Sequence, residues 1–131
     1  MVGDALTKLY FDGGCRPNPG PIQVAAVLRG AVHLNDDLGE GSSGDAEWLA
    51  LLHALEVASA AGETDLLVLG DSASVIDQAT GAARLRLALP SQHRFADLTS
   101  RFDRLRFRRI KRTQNLAGIA LEQVRRRSPH R

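Results

Sequence analysis

Three acidic residues, Asp12, Glu47 and Asp71, occupy positions from which carboxylates can converge. Asp12 closes the apolar run "LTKLYFD", Glu47 falls in the first turn of a long Ala/Leu-rich segment, and Asp71 ends "DLLVLGD". Neighbouring strand ends and the start of a helix packed over them can meet at one point, and α/β sheets bind ligands at such strand ends. Clustered carboxylates repel one another and hold their protons unless a cation neutralises them. Hard oxygen donors without a histidine beside them suit Mg²⁺ or Mn²⁺, which keep several waters and take phosphate oxygens as further ligands. Two such ions about 3.5–4 Å apart activate a water and stabilise the leaving oxygen in phosphodiester hydrolysis. Taken singly, each acid also has a plain structural use: serving a turn, favouring a helix N-terminus, or capping the following helix.

The elements that must position these acids are legible in the hydrophobic pattern. Residues 6–14, 22–30 and 31–39 read as three short strands, joined by a Gly/Pro loop and a tight turn at Arg29-Gly30, and predict an antiparallel meander. The segment "DAEWLALLHALEVASAAG", from Asp45 to Gly62, is preceded by the cap-competent "SSGD" and closed by glycine, which predicts a mostly apolar helix lying against a sheet. "DLLVLGD" reads as a buried strand, and "SASVIDQATG" as a short helix with Ser72 as N-cap and Gly81 past its end. A helix at "PSQHRFADLTSRF", an alternating strand at "LRFRRIK" and a final helix at "QNLAGIALEQVRRR" complete the chain. A meander followed by strand-helix alternation predicts one α/β domain over residues 1–131, with a mixed sheet of three antiparallel and two parallel strands and helices on both faces.

With 131 residues and 44% hydrophobic content, the chain is long enough for a real core and too apolar for disorder. A lone cysteine, Cys15, excludes an internal disulfide, and "MVGDALTKLY" has neither the basic nor the apolar region of a secretion signal, so a cytoplasmic protein is expected. No apolar run approaches the length of a membrane span. The net charge of +2 conceals a segregation: residues 1–81 hold three Lys/Arg against twelve Asp/Glu, and residues 82–131 hold fourteen against three. Such a pattern suits solvated surfaces with arginines near helix C-termini, and equally suits a carboxylate site beside a basic surface that holds phosphates.

"YFDGGCRPNPGP", "AEWLALLHAL", "GDSASVIDQATG" and "RTQNLAGIAL", in this order and spacing, resemble the type 1 ribonuclease H family, especially its compact bacterial and archaeal members. The resemblance spans nearly the whole chain. It implies a ribonuclease H-like fold and a monomeric, metal-dependent endonuclease that needs no organic cofactor. The implied reaction is hydrolysis of the RNA strand of RNA/DNA hybrids, leaving a 5′-phosphate and a 3′-hydroxyl. It implies two Mg²⁺ or Mn²⁺ ions held by Asp12, Glu47 and Asp71. Contacts to nucleic acid are expected at Gly13, Gly14, Cys15, Asn18, Ser42, Ser43, Ser72, Arg112 and Asn115. Glycine and proline after Asp12 permit unusual φ values and fix a turn, which lets the backbone approach a ligand closely.

The chain departs from the family pattern at one decisive place. The family's last helix carries a fourth acid, in a run like Asn-x-x-Ala-Asp; the run here, Asn115-Leu116-Ala117-Gly118-Ile119, holds no acid, with Gly118 at the alanine and Ile119 at the acid's place. Glycine within a helix costs about 1 kcal/mol relative to alanine, so helix propensity does not account for it. Three readings stay open: a weakened second-metal site, compensation by Glu122 one turn further along the same helix face, or loss of catalysis with survival as a nucleic-acid-binding module. Recognition positions are thinned as well, with Ser42-Ser43-Gly44 in place of a Thr-Asn-Asn-like run and Ala73 at a commonly polar position. Fewer side-chain contacts to 2′-hydroxyls would weaken discrimination between RNA and DNA. The short "AARLRLAL" has no resemblance to the long basic protrusion of some members, and arginines of "RLRFRRIKR" and of the tail from 125 to 131 are candidate phosphate contacts or simply solvated charges. The four histidines are scattered and Trp48 is expected to pack at the helix start.

Overall fold

The computed structural model describes residues 6–127. Strands β1 (Thr7–Cys15), β2 (Gly20–Leu28) and β3 (Ala31–Asn35) form the expected antiparallel meander. The turn between β2 and β3 is the two-residue Arg29-Gly30, both at positive φ (50° and 80°), which matches the right-handed twist of a hairpin. A two-residue strand, β4 (Glu40–Gly41), pairs with the start of β2 and was not anticipated. Helix α1 (Ser43–Ala60) follows, then β5 (Asp65–Gly70), α2 (Ala73–Thr80), α3 (Leu89–Thr99), β6 (Arg104–Arg109), a single 3₁₀ turn at Arg112–Gln114, and α4 (Leu116–Arg127). The main sheet runs in the order β3-β2-β1-β5-β6, with β5 parallel to both β1 and β6.

Burial divides into two layers. On one face, Leu9, Phe11, Val24, Leu66 and Val68 pack with Leu51, Leu52 and Leu55 of α1, Val75 of α2 and Leu98 of α3. On the other, Ala25 and Val27 of β2 pack with Ala117 and Leu121 of α4, and Tyr10 lies beside them. Alternation along β2 sends odd and even residues to opposite helix layers, as period two requires. Nearly continuous burial in β5 is that of a central parallel strand covered on both sides.

Local chemistry sets the helix boundaries. Ser42 caps α1: its hydroxyl accepts from Asp45 N at 3.1 Å, and the Asp45 carboxylate accepts from Ser42 N at 3.0 Å. The helix therefore begins two residues before Asp45, and Glu47 sits a full turn inside it rather than in the first turn. Ser72 caps α2 and Gly81 closes it in the left-handed region, as expected. Pro90 opens α3. Of the tail from 125 to 131, Arg125–Arg127 belong to the last turn of α4, while 128–131 lie outside the described residues.

Candidate active site

Asp12 does not end its strand. β1 continues to Cys15 against β2, but its parallel pairing with β5 stops at Tyr10 opposite Leu69, so Asp12 lies just past the end of that ladder. Asp71 follows the last residue of β5 and reaches the same place. Glu47 arrives from α1, which can approach β1 closely because Gly13 has no side chain: a Cβ there would collide with the Ala46 carbonyl oxygen. The three carboxylates share one open cleft of about 660 Å³ with Arg112, Gly118 and Arg125.

Neighbouring groups hold two of the acids. Ser72 Oγ donates to Glu47 Oε1 at 3.1 Å while accepting from Val75 N at 3.3 Å, so one hydroxyl both caps α2 and orients Glu47. Asn115 Nδ2 donates to the Phe11 carbonyl at 3.0 Å and to Asp71 Oδ2 at 3.3 Å, and Asn115 Oδ1 accepts from Ala117 N at 3.1 Å. That residue is fully buried, which corrects its expected place among nucleic-acid contacts: its amide is consumed in tying α4 to β1 and to Asp71. Cys15 is likewise corrected, since its side chain belongs to the core and its thiol donates to Asn18 Oδ1 at 3.5 Å.

The electrostatics are those of uncompensated negative charge. Burial, followed by the neighbouring Asp71 carboxylate, pushes Asp12 up to about 6, with Arg125 and Arg112 opposing. Burial also raises Glu47, against the Ser72 hydrogen bond, and Asp71 adds to the rise. A divalent cation would relieve both. Among the described residues no three His, Cys, Asp or Glu side chains are gathered closely enough to hold a metal ion by themselves. Carboxylate oxygens lining one cleft are nonetheless the donor type that Mg²⁺ or Mn²⁺ uses, completed by waters and phosphate oxygens. The residues present therefore fit such an ion.

Other anticipated residues fall around the rim. Asn18 Nδ2 donates to Ser43 Oγ at 3.2 Å and Asn18 Oδ1 accepts from Ser43 N at 3.1 Å, which pins the Pro-rich loop to the start of α1. Ser42 and Ser43 are exposed there. Arg112 is exposed beside the acids on the 3₁₀ turn, and Arg109 Nε donates to the Asp71 carbonyl at 3.4 Å. Gly14 lies under the Arg125 guanidinium, with a notional Cβ 3.0 Å from Nη2. Glu122 lines the same cleft and is held in ion pairs with Arg16 at 3.0 Å and Arg126 at 3.8 Å. Trp48 packs edge-on against Phe95, with ring centroids 5.2 Å apart, and His53 bonds through Nε2 to the His33 carbonyl, both plain packing roles. Arg16 in the cleft escaped sequence reasoning, and Arg125 was named only within the basic tail from 125 to 131. The signal available for Arg125 was its spacing of seven from Gly118, two helical turns and hence one face.

Three kinds of comparison agree with this architecture. A family model described as reverse transcriptase-like matches residues 10–123. The ribonuclease HI of Halobacterium salinarum strain NRC-1 is 41% identical over 78 residues, covering 56% of this chain and 39% of the relative. The chain thus spans about two fifths of the length of that relative. Among solved structures, RNase H1 from Halobacterium salinarum NRC-1 superposes with a TM-score of 0.78 at 32% identity, covering 89% of this chain and 94% of the other. LC11-RNase H1, solved in complex with an RNA/DNA hybrid, superposes with a TM-score of 0.71 at 26% identity, covering 88% and 92%.

Proposed function

Because this chain belongs to the reverse transcriptase-like family, of ribonuclease H type, we infer that it is a divalent-metal-dependent endonuclease hydrolysing the RNA strand of RNA/DNA hybrids. The observation that carries the reading is the meeting of Asp12, Glu47 and Asp71 in one cleft, from β1, α1 and the end of β5, with Asp12 pushed up to about 6 by burial and by Asp71. The relative solved with a bound RNA/DNA hybrid supports the substrate class.

In this reading Asp12, Glu47 and Asp71 hold the metal, which when bound supplies activation of water and stabilisation of the departing 3′-oxygen. The chain's own residues do the rest. Asp12 would be held in its ionised form beside a bound cation, since opposite charge favours that form. Ser72 keeps Glu47 facing the cleft, and Asn115 fixes Asp71 relative to the β1 backbone at Phe11. Arg112, exposed at the rim, offers a phosphate contact beside the acids. Hydrolysis leaves a 5′-phosphate and a 3′-hydroxyl.

One observation favours a second reading. Gly118 leaves α4 without a carboxylate opposite Asp12, and Glu122 on the same helix is engaged by Arg16 and Arg126. A protein so altered would bind hybrid without cutting it. Substituting Asp71→Asn separates the two: the enzyme reading expects cleavage to fall by orders of magnitude with hybrid binding retained, and full cleavage by Asp71→Asn contradicts the assigned site.

A further inference from the structure

Arg125 is an unusual side chain to find beside a carboxylate cluster. It sits on α4 two turns beyond Gly118, so both face the same cleft. Side chains on a helix lean toward its N-terminus, which directs the Arg125 stem back toward Gly118 and Asp12. Gly118, having no side chain, leaves that lane open; a Cβ there would stand 3.3 Å from Asp12 Oδ2.

The guanidinium is held rather than free. Its Nε donates to Gln23 Oε1 of β2 at 3.0 Å, and the group lies across Gly14, where a Cβ would come within 3.0 Å of Nη2. Nη2 is shut off from solvent and has no hydrogen-bond acceptor. A buried, charged donor without a partner is costly. Glu122, three residues earlier, forms its ion pairs with Arg16 and Arg126 instead. A planar fork anchored at one corner and lacking an acceptor at another is suited to a phosphate oxygen.

We propose that Arg125 contacts a phosphate of the nucleic acid bound at the Asp12–Glu47–Asp71 cleft, its fixed charge lying on the α4 side of that cleft. This rests on the function inferred above and adds a residue to it.

The test is the salt dependence of binding to an RNA/DNA hybrid with EDTA present, so that no metal-assisted cleavage intervenes. Removing one phosphate contact reduces the slope of log K against log salt by about one and weakens binding by roughly tenfold at low salt. Arg125→Gln is expected to show both changes, Arg125→Lys to keep the slope, and Arg101→Gln, altering an arginine paired with Asp97 at 2.6 Å outside the cleft, to leave both as in the wild type. A folded Arg125→Gln protein with the wild-type slope overturns the proposal. Independently of any variant's folding, the Arg125 side-chain ¹⁵N resonances of the wild-type protein should move when hybrid is added; resonances that stay put overturn it as well. Failure of the wild-type protein to bind hybrid at all would overturn this proposal together with the function it rests on, whereas normal binding with an unchanged slope in Arg125→Gln overturns Arg125 alone.

Discussion

Gly118 of α4 faces Asp12 of β1 so closely that a Cβ at position 118 would lie 3.3 Å from Asp12 Oδ2 and 3.5 Å from Cγ. That separation is tighter than ordinary van der Waals contact, and the neighbour that must yield is a carboxylate already short of positive charge. Gly118→Asp therefore has opposite effects with and without metal. In its absence the new acid adds like-charge repulsion, and the melting temperature should fall. With Mn²⁺ present the variant gains a further oxygen ligand, and its stabilisation by the ion should exceed that of the wild type. Thermal melts across a Mn²⁺ titration check this; equal metal-induced shifts in both proteins would contradict it.

Asp12 gives a pH dependence whose sign follows from its raised pKa. The folded chain holds the Asp12 proton up to about 6, against 3.8 ordinarily. Between those values the folded state binds more protons than the unfolded one, so this group's contribution to stability falls as pH rises, then levels off above about 6. Asp12→Asn removes the ionisation. The stability difference in favour of the variant should grow from near pH 4 to pH 7 by on the order of 2 kcal/mol in metal-free buffer, and should shrink when Mg²⁺ is added. Denaturant unfolding at several pH values measures it; a difference constant with pH would refute the assignment.

The interlock around Asn115 predicts a large effect from a residue that touches no solvent. Its side chain serves the Phe11 carbonyl, Asp71 and the first turn of α4 together. Asn115→Ala leaves a buried carbonyl unpaired and costs about 2–3 kcal/mol, and it frees Asp71 to turn away from the cleft. Chemical denaturation should show the loss of stability. Metal affinity, read by calorimetry, should weaken in the same variant while it is still folded.

Gly13 supplies a backbone test. The Ala46 carbonyl occupies the space a side chain would need, and rigid backbone offers little relief. Gly13→Ala should push α1 off β1, destabilise the fold by more than 1 kcal/mol as overpacked sites do, and separate Glu47 from Asp12. A melting temperature within a degree of wild type would show that the helix can yield without cost.

These contacts also show what could be read from the sequence. The hairpin at Arg29-Gly30, the Ser72 cap and the Gly81 stop are local, each set by one or two residues, and all were legible. The three acids were read from strand ends and a helix start, whereas β1 runs on past Asp12 to Cys15 and Glu47 lies beyond the first turn of α1. Burial of Asn115 and Cys15 was not legible, since it depends on α4 and α1 closing over β1 from segments far apart in the chain. The same holds for Glu122, whose ion pair with Arg16 spans 106 positions, and for Arg125, anchored to Gln23 across 102. Spacing put Glu122 on the right face of α4; only the packing shows which charges it meets there.

In the proposed function, three carboxylates suffice for metal-dependent cleavage of a hybrid. It is tested most directly by incubating purified protein with labelled RNA/DNA hybrid in Mg²⁺ and in Mn²⁺, beside RNA/RNA and DNA/DNA duplexes, with Asp12→Asn as control. Cutting of the RNA strand of the hybrid alone is expected, with 5′-phosphate ends, dependent on the divalent ion and abolished in the control. Hybrid bound tightly yet left intact under both metals, or cut equally well by Asp12→Asn, would contradict it.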